Sequence, residues 1–182
     1  MEYRKLPKGE EQISVLGLGT SSIGMAEEKE IDATIHLALE NGINYFDLAA
    51  ADAAPFAAFG QTVAGNRDKY RTGKYGWTTD LETIKRSVDW QLKELKTDYI
   101  DFGFLHCIDE EEDLERVMFN GVLDYIEKLK KENVLHHIGL STHTPSTADR
   151  MLDTCLLDMM MFSINPAYDY QQGDYGLSLI HI

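Results

Sequence analysis

Cysteine is scarce in this chain: among 182 residues there are two, Cys107 and Cys155. They stand far apart, so no disulfide framework is expected, and free thiols in a reducing cytoplasm are. Positive charge is also in short supply. Seventeen Lys and Arg face 31 Asp and Glu, for a formal net charge of -14. That argues against a nucleic-acid or anionic-membrane surface, which needs clustered basic side chains. A small anionic ligand is still admissible, because backbone N–H groups can hold one. No apolar run reaches the 18 or so residues that a membrane span requires. The opening residues, Met1-Glu2-Tyr3-Arg4-Lys5, lack the apolar stretch of a secretion signal. Internal repeats, low-complexity tracts and domain linkers are not found.

What is present is an ordinary globular composition, 43% apolar and 26% charged, long enough for one domain with a sizeable core. Tyr3 to Leu6 and Gln12 to Val15 flank Pro7-Lys8-Gly9-Glu10 and predict a hairpin. Val15 to Thr20 is a short strand with a glycine-rich end. Ile31, Ile35 and Leu39 share one helical face, stopped by Asn41-Gly42. Ile43 to Leu48 is an apolar strand ending near Asp47. Thr79 with Glu82 has capping-box spacing ahead of a helix carrying Leu81, Ile84, Val88, Leu92 and Leu95. Tyr99 to Leu105 is a strand ending at His106. Leu114 to Lys131 is one amphipathic helix with a cationic end. His137 to Leu140 ends at Ser141, Pro145 opens a helix through Leu152, and Leu157 to Ile164 is a strand ending at Asn165.

Alternation of this kind predicts a parallel sheet with right-handed crossovers and helices outside. The fold class is α/β, an incomplete TIM (β/α)8 barrel preceded by an N-terminal β-hairpin. Two repeats are irregular. Between Asp47 and Thr79 a short helix fits Pro55 to Ala64, but Asn66 to Lys74 has no apolar run, so strand 3 is expected to be missing. After Asn165 the last two strands of a barrel are missing as well. Residues 1–176 are therefore expected to form a single partial barrel domain, with 177–182 a non-native tail. Open strand edges make self-association of such a piece the expected behaviour.

Parallel βα proteins bind ligands at the carboxyl ends of their strands. Those ends carry Gly19-Thr20-Ser21, Asp47, His106, Ser141-Thr142-His143 and Asn165, a polar series that core packing does not call for. The blander features are His136 and His137, read as strand residues, and Met159-Met160-Met161, read as core filler. The acids at 109–113 suit a solvated helix start. His106-Cys107 followed by acids matches no standard ligand spacing, so no metal site is expected.

The stretches Val15-Leu-Gly-Leu-Gly-Thr20, Gly42-Ile-Asn-Tyr-Phe-Asp47, Asp98-Tyr-Ile-Asp-Phe-Gly-Phe-Leu-His106, His137-Ile-Gly-Leu-Ser141 and Phe162-Ser-Ile-Asn-Pro166 together resemble an aldo-keto reductase. Asp89-Trp-Gln-Leu and Asn165-Pro-Ala-Tyr-Asp-Tyr170 resemble a bacterial and archaeal branch whose members often carry a C-terminal ferredoxin-like 4Fe-4S segment. With two cysteines here, such a cluster would belong to a region beyond this chain.

The resemblance implies NADP(H) or NAD(H) as hydride carrier and a small carbonyl or alcohol substrate. It also implies four catalytic groups: a Tyr acid, a Lys that lowers its pKa, an Asp that orients the Lys, and a His. Asp47 and His106 match the last two. The Tyr position, five residues past Asp47, holds Asp52, and the Lys belongs to the strand expected to be missing. Gly19 and Thr20 would lie beside the nicotinamide, Ser141 and Asn165 would bond its carboxamide, and His143 would stand nearby. An N-terminal fragment of this kind is expected to have little or no reductase activity. The alternative is a cofactor-binding or electron-transfer module of the iron–sulfur branch.

Overall fold

The computed structural model describes residues 1–20, 23, 26–48, 59–61, 71–76, 79–162 and 180–181, with 71–76 and 180–181 described by their backbone course. The chain opens with the expected hairpin. β1 (Tyr3–Lys5) and β2 (Gln12–Ser14) pair antiparallel, Tyr3 opposite Ser14. The main sheet comprises β3 (Gly17–Gly19), β4 (Tyr45–Leu48), β5 (Arg71–Gly76), β6 (Ile100–Leu105), β7 (Leu135–Thr142), β8 (Met159–Phe162) and β9 (Ile180–His181), in that spatial order. Strands β3 to β8 run parallel, and β9 lies antiparallel on Met160 and Met161 of β8. Among the described residues the sheet is open, with β3 and β9 at its edges.

One expectation is corrected here. A strand does lie between Asp47 and Thr79: β5 pairs Asp47 with Gly73 on one side and Gly73 with Phe102 on the other. It needs no apolar run to pair, because backbone ladders on both edges satisfy its N–H and C=O groups, and Thr72 and Tyr75 are strand formers. A periodicity search for buried apolar side chains passes over such a segment.

Alternation along the strands separates two surfaces. Phe46 and Leu48 of β4, both fully buried, pack under α1 (Glu28–Glu40) with Ile31, Ile35, Ala38 and Phe59. The Phe46 and Phe59 rings meet edge to face at 4.9 Å. On the opposite surface Phe102 and Phe104 of β6 bury against Leu6 and Ile13 of the hairpin region, with Tyr45, Met159 and Met161 alongside. The hairpin thus closes the amino-terminal end of the sheet's inner face. Lys8 Nζ donates to Leu157 O at 2.6 Å, and His137 Nε2 lies 3.0 Å from Glu11 Oε1. Met159 and Met161, expected as core filler, are partly buried and pack against this inner cluster, while Met160 packs against the outer one.

The helices follow their apolar spacing with two corrections. α2 (Leu81–Leu95) is capped by Asp80, whose carboxylate accepts from Thr83 N at 2.9 Å. Thr79 instead donates to Asp113 Oδ1, so the cap sits one residue later than the Thr79–Glu82 spacing suggests. The segment 114–131 is two helices, α3 (Glu111–Phe119) and α4 (Val122–Lys131). Gly121, at φ +81, takes a left-handed turn that a side chain would oppose, and this breaks a continuous apolar face. α5 (Pro145–Asp153) begins at the expected proline. No helix of the described residues is long and apolar enough to cross a membrane.

Candidate active site

The polar residues at the carboxyl ends fall into two groups. The first belongs to β3 and β4. Thr20, 1% exposed, donates through both N and Oγ1 to Asp47 O, at 3.0 and 2.9 Å. Gly19 stands opposite Asp47 in the ladder, and a Cβ at Gly19 would meet no atom of the described residues within 4 Å. The space beside it is a cavity of about 580 Å³ that runs along the inner face from Arg4, Ile13 and Ser14 of the hairpin to Gly19, Tyr45, Asp47 and Phe104. Gly17 is required by packing: a Cβ there would sit 2.6 Å from the Tyr45 ring. Tyr45 is the tyrosine in this cavity. Burial, and then the charge of Asp47, push its hydroxyl far above the ordinary phenol range. That makes it a poor proton donor.

The second group belongs to β6 and β7. Phe104 pairs with Gly139 and Leu105 with Leu140, so His106 and Ser141, one residue further, follow side by side. Burial depresses the His106 imidazole to about 4, the nearby His143 adds to this, and Asp109 opposes it. His106 is therefore neutral at pH 7. Cys107 Sγ lies 3.2 Å from His106 Nε2. Its thiol is pushed up by burial and by Asp109, against a hydrogen bond from Ser141.

Asp109 is the hub of this group. Its Oδ1 accepts from His143 N at 2.6 Å and lies 3.0 Å from the Thr142 hydroxyl, and its Oδ2 lies 2.8 Å from His143 Nδ1. Burial alone would raise the Asp109 carboxyl. The backbone N–H and ring of His143, with Thr142, outweigh burial and hold it below the ordinary range. Ile108 N donates to Ser141 O, Thr142 Oγ1 reaches Ile108 O at 2.7 Å, and Thr144 Oγ1 donates to Asp109 O. In the sequence Asp109 stands only as one of a run of acids. The signal that could have found it is its position three residues past a strand-end histidine, before the helix begins. Glu111, Glu112 and Asp113 do occupy the first turn of α3, as expected of a solvated helix start.

The structure therefore brings Gly19 and Thr20 together with Asp47, and His106 together with Ser141 and His143, with β5 between the groups. Ladder register staggers them: Asp47 is level with Gly73, and Gly73 with Phe102, four residues before His106. Lys74, which no sequence pattern singled out, stands on β5 opposite Leu48. Asn165 and Asp52 lie outside the described residues.

The aldo/keto reductase family model matches residues 15–169. The chain is 31% identical to an uncharacterized oxidoreductase, YqkF, of Bacillus subtilis, over 90% of this chain and 57% of that protein. Among solved structures it is similar to the holo form of aldo-keto reductase AKR11C1 from Bacillus halodurans, with a TM-score of 0.79 and 25% identity over 90% of this chain and 58% of that one. It also has the fold of an aldo-keto reductase from Klebsiella pneumoniae solved in complex with NADPH, with a TM-score of 0.69 and 23% identity over 84% of this chain and 54% of that one. The chain spans about half the length of the curated relatives it matches.

Proposed function

Because the chain belongs to the aldo/keto reductase family, we propose that its carboxyl-end residues are part of a nicotinamide-dependent carbonyl reductase site, with NADP(H) or NAD(H) as hydride carrier and a small carbonyl or alcohol as substrate. The observation that carries this is the pairing of Gly19, Thr20 and Asp47 beside an open cavity. The cavity gives a flat ring room next to Gly19, where no side chain of the described residues intrudes. The cofactor, when bound, supplies hydride to the carbonyl carbon. Gly19 and Thr20 would flank its ring, and Ser141, with Asn165, would bond its carboxamide, with His143 nearby. A structure with NADPH bound to a protein of the same fold supports this choice.

The proposed catalytic pair is Asp47 and His106. The neutral His106 can donate a hydrogen bond to the carbonyl oxygen without burying an imidazolium. Lys74, on the strand between them, takes the role for which no residue could be assigned from sequence. The proton donor is the unfilled role: Asp52 stands five residues past Asp47, and Tyr45 is ill suited. For that reason turnover by this chain is proposed to be low. The two free thiols agree with a reducing cytoplasm as the compartment. Self-association through the open β3 edge, beside the exposed Val15 and Leu16, completes the proposal.

Two measurements test it. NADPH fluorescence titration should show saturable binding that Ser141→Ala and Thr20→Ala each weaken. Binding absent at millimolar NADPH, or unaffected by both substitutions, contradicts the site. A steady-state assay with small aldehydes should show little turnover, and ordinary enzymatic rates would refute the claim about the missing donor.

A further inference from the structure

The loops after β6 and β7 gather a donor set to which the proposed reduction assigns no catalytic role. Cys107, Asp109 and His143 each offer one ligand atom, and these atoms all lie within 4.8 Å of one another. A tetrahedral zinc ion with bonds of about 2.0–2.3 Å holds its ligands roughly 3.4–3.8 Å apart. Closing the set on one ion thus takes shifts of up to roughly 1.4 Å. None of the three is on the open surface: all are half-buried.

The loops that carry them are already fixed. Ile108, between Cys107 and Asp109, donates to Ser141 O at 3.0 Å, and Thr142 holds Ile108 O. Asp109 binds the backbone N–H of His143. The arrangement is therefore set by strand-end contacts before any ion arrives. Chemistry selects the ion. One sulfur, one imidazole nitrogen and one carboxylate oxygen suit a borderline divalent cation such as Zn2+ or Co2+. Mg2+ and Ca2+ prefer all-oxygen shells.

We propose that Cys107, Asp109 and His143 form a binding site for a zinc-class divalent cation, with three protein ligands and a fourth position open beside His106. The sequence spacing hides this site, because the third ligand comes from the neighbouring strand end, 34 residues past Asp109. Within the nicotinamide reading, and resting on it, the ion and the cofactor compete for the space around His143. Ion binding itself does not depend on that reading.

Cobalt titration of the intact chain tests the proposal without any activity assay. One equivalent of Co2+ should produce a thiolate-to-cobalt charge-transfer band, displaced by Zn2+ and not by Mg2+. Cys107→Ser should abolish the band. His143→Gln and Asp109→Asn should weaken binding at least about tenfold, and Cys155→Ser should leave it unchanged. Circular dichroism of the metal-free variants checks that they fold. Should a variant not fold, X-ray absorption of the zinc-loaded wild-type chain decides alone, with one sulfur at about 2.3 Å among nitrogen and oxygen neighbours expected. No band at stoichiometric Co2+, a band that survives Cys107→Ser, or a zinc shell with no sulfur or with two would each overturn the site.

Discussion

At the carboxyl ends of β6 and β7 two loops are joined by side chains, with Asp109 accepting from His143 and in reach of Thr142. At the ends of β3 and β4 Thr20 donates through N and Oγ1 to the backbone carbonyl of Asp47. The first region is a braced polar cluster. The second is two short strands backed by apolar packing, Phe46 and Leu48 on α1 and Phe59, with open space on the ligand side. The difference suggests a division of labour: the β3–β4 side leaves room for a ring, and the β6–β7 side holds polar groups in fixed orientation before a ligand arrives.

That contrast can be broken most forcefully through the core of the weaker region. Phe46→Ala removes a fully buried ring and should cost about 3–5 kcal/mol, read as a shift in the urea midpoint. A loss under about 1 kcal/mol would mean that packing does not hold this side. Asp109→Ala comes next. It orphans the His143 N–H and should cost about 2–3 kcal/mol, with faster amide exchange at His143 and Thr144. Unchanged exchange there would remove Asp109 as the hub. Thr20→Ala, losing one hydroxyl bond to a carbonyl that still has Thr20 N, should cost only about 1 kcal/mol. A cost equal to that of Asp109→Ala would erase the contrast.

The last effect is electrostatic. His106 titrates near 4 in the fold and near 6.5 in an unfolded chain. Between those values the unfolded chain binds the extra proton. The contribution to stability is therefore whole above pH 6.5 and is lost as pH falls toward 4. NMR titration of the ring should find it neutral down to about pH 4. His143→Gln should raise that value by removing the His143 ring, whose electrostatic effect lowers it. An unshifted His106 that titrates near 6.5 would contradict its placement.

Most of the parallel repeat was legible because buried strands and helices advertise themselves by apolar spacing: Ile31 and Ile35 for α1, Phe102 and Phe104 for β6, and Pro145 for α5. β5 was not, because ladder hydrogen bonds leave no trace in side-chain periodicity, and Lys74 was hidden with it. The break at Gly121 was masked by an apolar face continuing on both sides of it. Of the site, Gly19, Thr20, Asp47, His106, Ser141 and His143 could be placed at strand ends from sequence. Asp109 could not, because its role depends on which residue the adjacent strand brings opposite, and an acid before a helix has an ordinary explanation.

The most direct test of the central claim, that the ligand site lies at the carboxyl ends of the strands, is a backbone amide NMR titration of the chain with NADPH. The account predicts shifts concentrated at Gly19, Thr20, Asp47, His106 and Ser141, with the hairpin residues Leu6 to Glu11 unmoved. Shifts confined to the hairpin end, or no shifts at millimolar NADPH, would contradict it.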